Sequence, residues 1–196
     1  MLGCQIQSNL KWQKQVAVLI SKLRNRLVGR GALKYIAPYA VRKVISEGIF
    51  NSVLIYCLPL FGGCNKGQLS DLQVLQNKAA QIVTKSPPRS SRNAMFDQLD
   101  WLTVNQLIAY HTLLQIFKIR SCREPEYLYD ELGTDNRNGH IVVSNCDLSL
   151  ALNSFTYRGA KLWNNVPPHI RNSQKIGIFK KEIKKYVKQM VPRFSE

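Results

Sequence analysis

Apolar positions recur at steps of three and four residues along most of this chain, the spacing that lines one face of an α-helix. Trp12, Val16, Leu19, Ile20, Leu23 and Leu27 make the first such stripe, and Gly29 and Gly31 end it. Ahead of it, LGCQIQ alternates apolar and polar residues, which predicts a short strand within residues 1–8. A lone strand is not stable in water. This one is therefore expected to pair with something outside the sequence, as though the chain began inside a larger protein. A second helix is predicted from Pro38, a good first-turn residue, to about Tyr56, before Pro59, Gly62 and Gly63 break the chain.

Ser70 and Gln73 have the spacing of a capping box, with Leu69 and Val74 placed as its hydrophobic staple. They predict the start of a third helix whose buried side is Leu72, Leu75, Ala79 and Val83. The SPPRSS segment, Ser86 to Ser91, reads as a linker and subdomain boundary. A short helix is expected over Arg92 to Leu99. Thr103 and Gln106 then form a second capping box, opening a helix from Val104 to Ile119. That helix is apolar nearly all round, as a helix buried on most sides is, and His111 on it reads as a core histidine. Pro125 to Leu132 and Phe155 to Trp163 are predicted as short helices, with a polar loop over Gly133 to Gly139 and a short extended segment after it. The last helix, Ile176 to Met190, has the stripe Ile176, Phe179, Ile183, Val187 and Met190, with Lys180, Lys181, Lys184, Lys185 and Lys188 on the opposite arc. The expected fold is mainly α, organised as a residual strand over 1–8, a helical region over 9–86 and a helical C-terminal domain over 87–196.

Charge changes the picture. The chain has 28 Lys and Arg against 12 Asp and Glu, a formal net charge of +16. Such an excess repels itself in a compact state and suits a polyanionic partner. From Lys11 to Ser46 there are nine basic residues and no acid, and from Lys175 to Lys188 six basic residues face only Glu182. Lys11, Lys14, Lys22 and Arg24 fall off the apolar stripe of the first helix. Either run could also be a solvated face.

Catalytic and metal chemistry find little support. The five cysteines (Cys4, Cys57, Cys64, Cys122, Cys146) form no C-x-x-C pair and stand at no ligand spacing from His111, His140 or His169. Reduced, mostly buried thiols in an intracellular protein, nuclear or cytoplasmic, are the expected reading. The G-R-G at Gly29 to Gly31 leaves a helix rather than entering one, so it is no phosphate-cradling loop. Nucleophile elbows and H-E-x-x-H are absent. The only adjacent acids, Asp130 and Glu131, sit at a helix end and do not provide the converging carboxylates that a two-metal centre needs. Trp12, Trp101 and Trp163 lie in apolar patterns and are assigned to the core rather than to base stacking. The most apolar stretch, Ile49 to Phe61, is broken by Asn51, Ser52 and Pro59 and falls short of the ~20 residues of a membrane span.

Five segments, in order, resemble the C-terminal part of non-LTR (LINE-type, jockey-like) retrotransposon reverse transcriptases. LGCQIQSNLKWQKQV is similar to the segment that closes the palm and leads into the thumb, and SVLIYCLPLFGG with LQVLQNKAAQIVT to the helical thumb. FDQLDWLTVNQLIAYHTLLQIFKI, EPEYL and SFTYRGAKLWNNVPPHIRNSQKIGIFKKEIKKY are similar to the family's tail. Within the last of these, W-N-x-x-P-x-x-I-R and F-K-x-x-[IL]-K are the most distinctive pieces. Gln15 stands where a histidine is common, and Phe61 where a tryptophan is common.

The resemblance implies a fragment of an RNA-directed DNA polymerase: the last palm strand, a thumb bundle and a helical tail domain. The family's catalytic aspartate and A-D-D turn lie upstream of the matching region, so no catalytic residue is carried over. No cofactor is expected in this chain, since magnesium would belong to the palm. The implied partners are RNA, RNA–DNA template–primer duplex, and the palm and fingers of a parent polymerase; no membrane is expected. Lys11, Lys14, Lys22 and Arg24, with Lys181, Lys184 and Lys185 on the tail helix, are the expected nucleic-acid contacts. A rival expectation is a non-catalytic helical protein-interaction module, or a transposon remnant with no function.

Overall fold

The computed structural model describes residues 3–8, 11–28, 31–135, 139–143 and 147–190. The fold is mainly helical, as expected, and divides into two compact units built on Met1–Asn105 and Gln106–Pro192. The Ser86–Ser91 segment lies within the first unit.

The first unit holds α1 (Gln13–Val28), α2 (Leu33–Ile36), α3 (Tyr39–Ser46), α4 (Ser52–Ile55), α5 (Leu58–Phe61), α6 (Lys66–Thr84) and α7 (Arg92–Leu99). Helix α6 is its centre, packing against α1, α2, α3 and α7. It buries Leu72, Leu75, Ala79, Ala80 and Val83, while α1 buries Val16, Leu19 and Leu23. The expected start of α6 at Ser70 is wrong. Asn65 is the N-cap, and its side chain accepts from Gln68 N at 2.8 Å, so the helix begins before the Ser70–Gln73 pair. Gln73 bonds elsewhere: its Oε1 accepts from Val104 N at 2.8 Å.

The helix predicted from Pro38 to Tyr56 forms, but not as one regular piece. Between α3 and α4 the Glu47–Asn51 segment is a π turn, in which Ser52 N reaches the Glu47 carbonyl five residues back. Trp101, buried as expected, donates from Nε1 to Glu47 Oε1 at 3.0 Å. Trp12 is only half-buried. On α3, Arg42 is 5% exposed, donating from Nε to the Val83 carbonyl at 2.9 Å and from Nη1 to the Ala37 carbonyl.

The strand predicted within 1–8 enters no β-ladder in its described part, Gly3–Ser8. Side chains meet this segment instead. Gln15, 6% exposed on α1, accepts from Gln5 N at 2.8 Å, and Gln7 Oε1 accepts from Lys14 N at 3.0 Å. Residues 1 and 2 lie outside the described residues.

At the division begins α8 (Val104–Cys122), followed in the second unit by α9 (Glu126–Glu131), β1 (Thr134–Asp135), β2 (His140–Ile141), α10 (Ser149–Leu152), α11 (Phe155–Asn164), α12 (Pro168–Arg171) and α13 (Ile176–Met190). The core gathers Leu113, Ile116 and Phe117 of α8, Ala160 and Trp163 of α11, and Phe179, Ile183 and Val187 of α13. Phe117 and Phe179 stack with ring centroids 4.2 Å apart. Gly159 of α11 sits close on α8: a Cβ there would stand 2.7 Å from Ile116 Cδ1, so a side chain would have to displace the end of Ile116. The ends of the α13 stripe stay outside the core, Ile176 being 39% and Met190 64% exposed.

Where a polar loop is expected over Gly133 to Gly139, Thr134 and Asp135 instead form a strand of a small antiparallel hairpin, pairing with Ile141 and His140. A two-stranded hairpin is marginal alone, and the Trp163–Asn164 dipeptide supports it. Asn164 accepts from Ile141 N at 2.8 Å and donates to Ile141 O at 2.9 Å, as a neighbouring strand would, and Trp163 Nε1 donates to Gly139 O at 3.1 Å.

Two stability outcomes follow. Phe179→Ala removes a ring with no exposure from the second core and should destabilise by about 3–5 kcal/mol in urea unfolding. His111, half-buried, has its pKa lowered by burial and by Lys118. Below about pH 6.5 the unfolded chain then binds a proton that the folded chain resists, so stability falls as pH drops. His111→Gln should flatten that part of the stability–pH curve.

Candidate nucleic-acid interface

A helix facing a phosphate backbone must keep one face on its own core and present cations on the rest, with no acid to repel the partner. Helix α1 meets this requirement. Gln15, Val16, Leu19 and Leu23 are buried, Lys14, Lys22 and Arg24 are exposed, and no Asp or Glu occurs in it. Lys11, also exposed, lies just ahead of the helix. At 100° per residue, Lys14 sits nearly opposite the buried stripe while Lys22 and Arg24 flank it on either side.

Other members of the basic run have different work. Arg42 is the buried residue already described, and Arg26 donates from Nη1 to the Ile49 carbonyl at 2.7 Å. Both support the fold, so nine basic residues overstate the charge offered to a partner.

The structure also gathers cations that the sequence left apart. A groove of about 540 Å³ is lined by the apolar Leu27, Leu75 and Ile82 and by Arg24, Lys34 and Lys78. Arg24 comes from α1, Lys34 from α2 and Lys78 from α6. The only signal for this grouping is the packing of α1 and α2 on α6. Neither Lys34 nor Lys78 stands out in the linear charge pattern.

The tail helix is less open. Lys181 is exposed and Lys184 half-buried, while Lys185 Nζ lies 3.2 Å from Glu182 Oε1 one turn away. An exposed pair of this kind adds little stability, but it holds one lysine toward a local acid.

The four described cysteines stand outside disulfides, as expected, but are not buried: Cys122 is exposed, and Cys4, Cys57 and Cys64 are half-buried. Burial pushes the Cys4 thiol up to about 11, with Cys57 adding through its charge and a hydrogen bond. Among the described residues no three His, Cys, Asp or Glu gather in a group that could hold a metal ion, and no helix is long and apolar enough to cross a membrane. Neither protein-family models, curated proteins nor solved structures give a match to this chain.

Thiolate is the reactive form of cysteine. Iodoacetamide at pH 8, followed by peptide mass mapping, should therefore modify Cys122 fastest and Cys4 slowest of the four described cysteines. Equal rates at Cys4 and Cys122 would contradict the placement of Cys4.

Proposed function

We propose that the first unit holds nucleic-acid backbone, as the thumb of a LINE-type reverse transcriptase grips template–primer duplex, and that this chain alone does not extend primers. The observation that carries the reading is the acid-free helix α1 with Lys14, Lys22 and Arg24 in solvent. Backbone gripping asks for positive charge and little base readout, and Lys34 and Lys78 extend the same charge around Arg24. The lack of polymerase activity rests on the sequence, in which neither the family's catalytic aspartate nor its A-D-D turn has a counterpart.

A second reading, docking onto protein, is favoured by a different observation. Tyr35, Ile36 and Val44 of α2 and α3 are 81%, 80% and 69% exposed. Large apolar side chains standing this far out of one region suit a protein partner, which for a polymerase fragment would be palm and fingers.

A salt titration separates the two. Each phosphate neutralised contributes about −0.9 to the slope of log affinity against log salt on duplex. Replacing Lys14, Lys22 and Arg24 together with glutamine should flatten the slope on RNA–DNA duplex by about 2–3 while leaving the circular dichroism spectrum unchanged. The same change at Lys181, Lys184 and Lys185 should have the smaller effect. Wild type that binds neither RNA–DNA nor random DNA duplex at low salt, or a first-helix variant that keeps the full slope, would give the place to protein docking.

A further inference from the structure

A guanidinium carries five N–H donors and a permanent charge, so a buried one needs acceptors around it. Arg42 has them; two arginines of the second unit have buried donors that do not find them. Arg171, the last residue of α12, is 8% exposed, yet its Nε and Nη1 find no hydrogen-bond partner among the described residues. Nη1 of Arg120, near the end of α8, is likewise buried and without a partner. Both side chains line one pocket of about 200 Å³, together with Trp163, Asn172 and Ser173. The Arg120 guanidinium lies over the Trp163 ring, 5.3 Å from its centroid, while its Nη1 stays without an acceptor.

Two like charges in a small pocket, with donors unmet and no carboxylate among the described residues that line it, are unfavourable unless an anion enters. The proximity registers on Arg120, whose pKa is lowered first by burial and further by Arg171, with Tyr129 acting in the opposite sense.

We propose that this pocket binds a phosphate monoester or inorganic phosphate, held by Arg120 and Arg171. Guanidinium forks match the oxygens of carboxylate and phosphate alike, and charge decides between them. A carboxylate or a backbone phosphodiester brings one negative charge, whereas a phosphate monoester brings about −1.5 to −2 at pH 7 and so matches two arginines. Asn172 and Ser173 add donors suited to an acceptor-only group. The pocket is smaller than the ~300–1,000 Å³ that encloses a whole small molecule, so it takes the phosphoryl group and leaves any attached body outside. It shares no residue with the cationic helix α1 and does not depend on the backbone-grip reading.

The test is calorimetric titration of the full chain with inorganic phosphate, against chloride at equal ionic strength. Saturable binding to phosphate and not to chloride is expected, with a melting temperature that rises with phosphate concentration. Arg120→Gln, at a half-buried position, should weaken binding at least tenfold without loss of helical circular dichroism, and Arg171→Gln should do the same if it folds. Adenosine 5′-monophosphate and adenosine distinguish the sources. Equal affinity for the monophosphate and free phosphate identifies a phosphate site, tenfold tighter monophosphate binding identifies a nucleotide end, and adenosine should not bind. The absence of a saturable phosphate response in wild type overturns the proposal, as does Arg120→Gln binding phosphate like wild type.

Discussion

In a chain with 28 basic and 12 acidic residues, folding sets part of the arginines against backbone carbonyls rather than carboxylates. Arg42 shows how. Its Nε reaches the Val83 carbonyl in the last turn of α6, where free carbonyls and the helix dipole give partial negative charge. That bond ties α3 to the helix against which α1, α2 and α7 also pack. Arg26 repeats the solution on the Ile49 carbonyl. Leaving the buried Arg42 without its acceptors would cost several kcal/mol, so the bundle of the first unit depends on the Val83 and Ala37 carbonyls being in place.

The same constraint sorts the remaining cations. Those that found carbonyls belong to the architecture. Lys14, Lys22 and Arg24 remain in solvent on one helix, and Lys34 and Lys78 from two others share a groove with Arg24. In the second unit Arg120 and Arg171 keep buried N–H groups that meet no acceptor among the described residues. Net charge alone does not separate these three fates, because each residue contributes the same +1. Burial and hydrogen bonding separate them, and only the second and third groups have capacity left for a partner.

Much of the helical layout was legible in the sequence because it is written locally. α7 runs over Arg92–Leu99 and α13 over Ile176–Met190, where periodicity and end signals place them. The start of α6 was misread because Ser70 and Gln73 satisfy the spacing of a capping box while Asn65 upstream makes the actual bond. Of the hairpin only an extended segment after Gly139 was legible, and its pairing was not, for a different reason. Its third edge is the side chain of Asn164, 23 residues from Ile141, and no alternating pattern marks a strand two residues long. For the candidate interface, the exposed lysines of α1 followed from the helical wheel. The meeting of Arg24 with Lys34 and Lys78 did not, since it depends on which helices pack together. Nor could the sequence tell Arg42 from its neighbours, because a buried arginine and a solvated one look alike in a charge run.

The π turn at Glu47–Asn51 has a consequence for how this region tolerates change. A wider turn sets the following residues out of phase with the preceding ones by up to one α-helical step, about 100°. Arg42, Ser46, Phe50 and Leu54, spaced four apart through the turn, are all buried. In a regular helix that spacing drifts by about 40° a step, and the extra residue of the π turn takes up part of the drift. The turn thus acts as a slack link that stores one residue without turning the buried face away. Deleting one residue of Glu47–Asn51 should let regular α-helix run through with the Leu54 side of α4 still inward. Homologous chains can therefore differ here by one residue in length, a change that the middle of a core strand would not absorb.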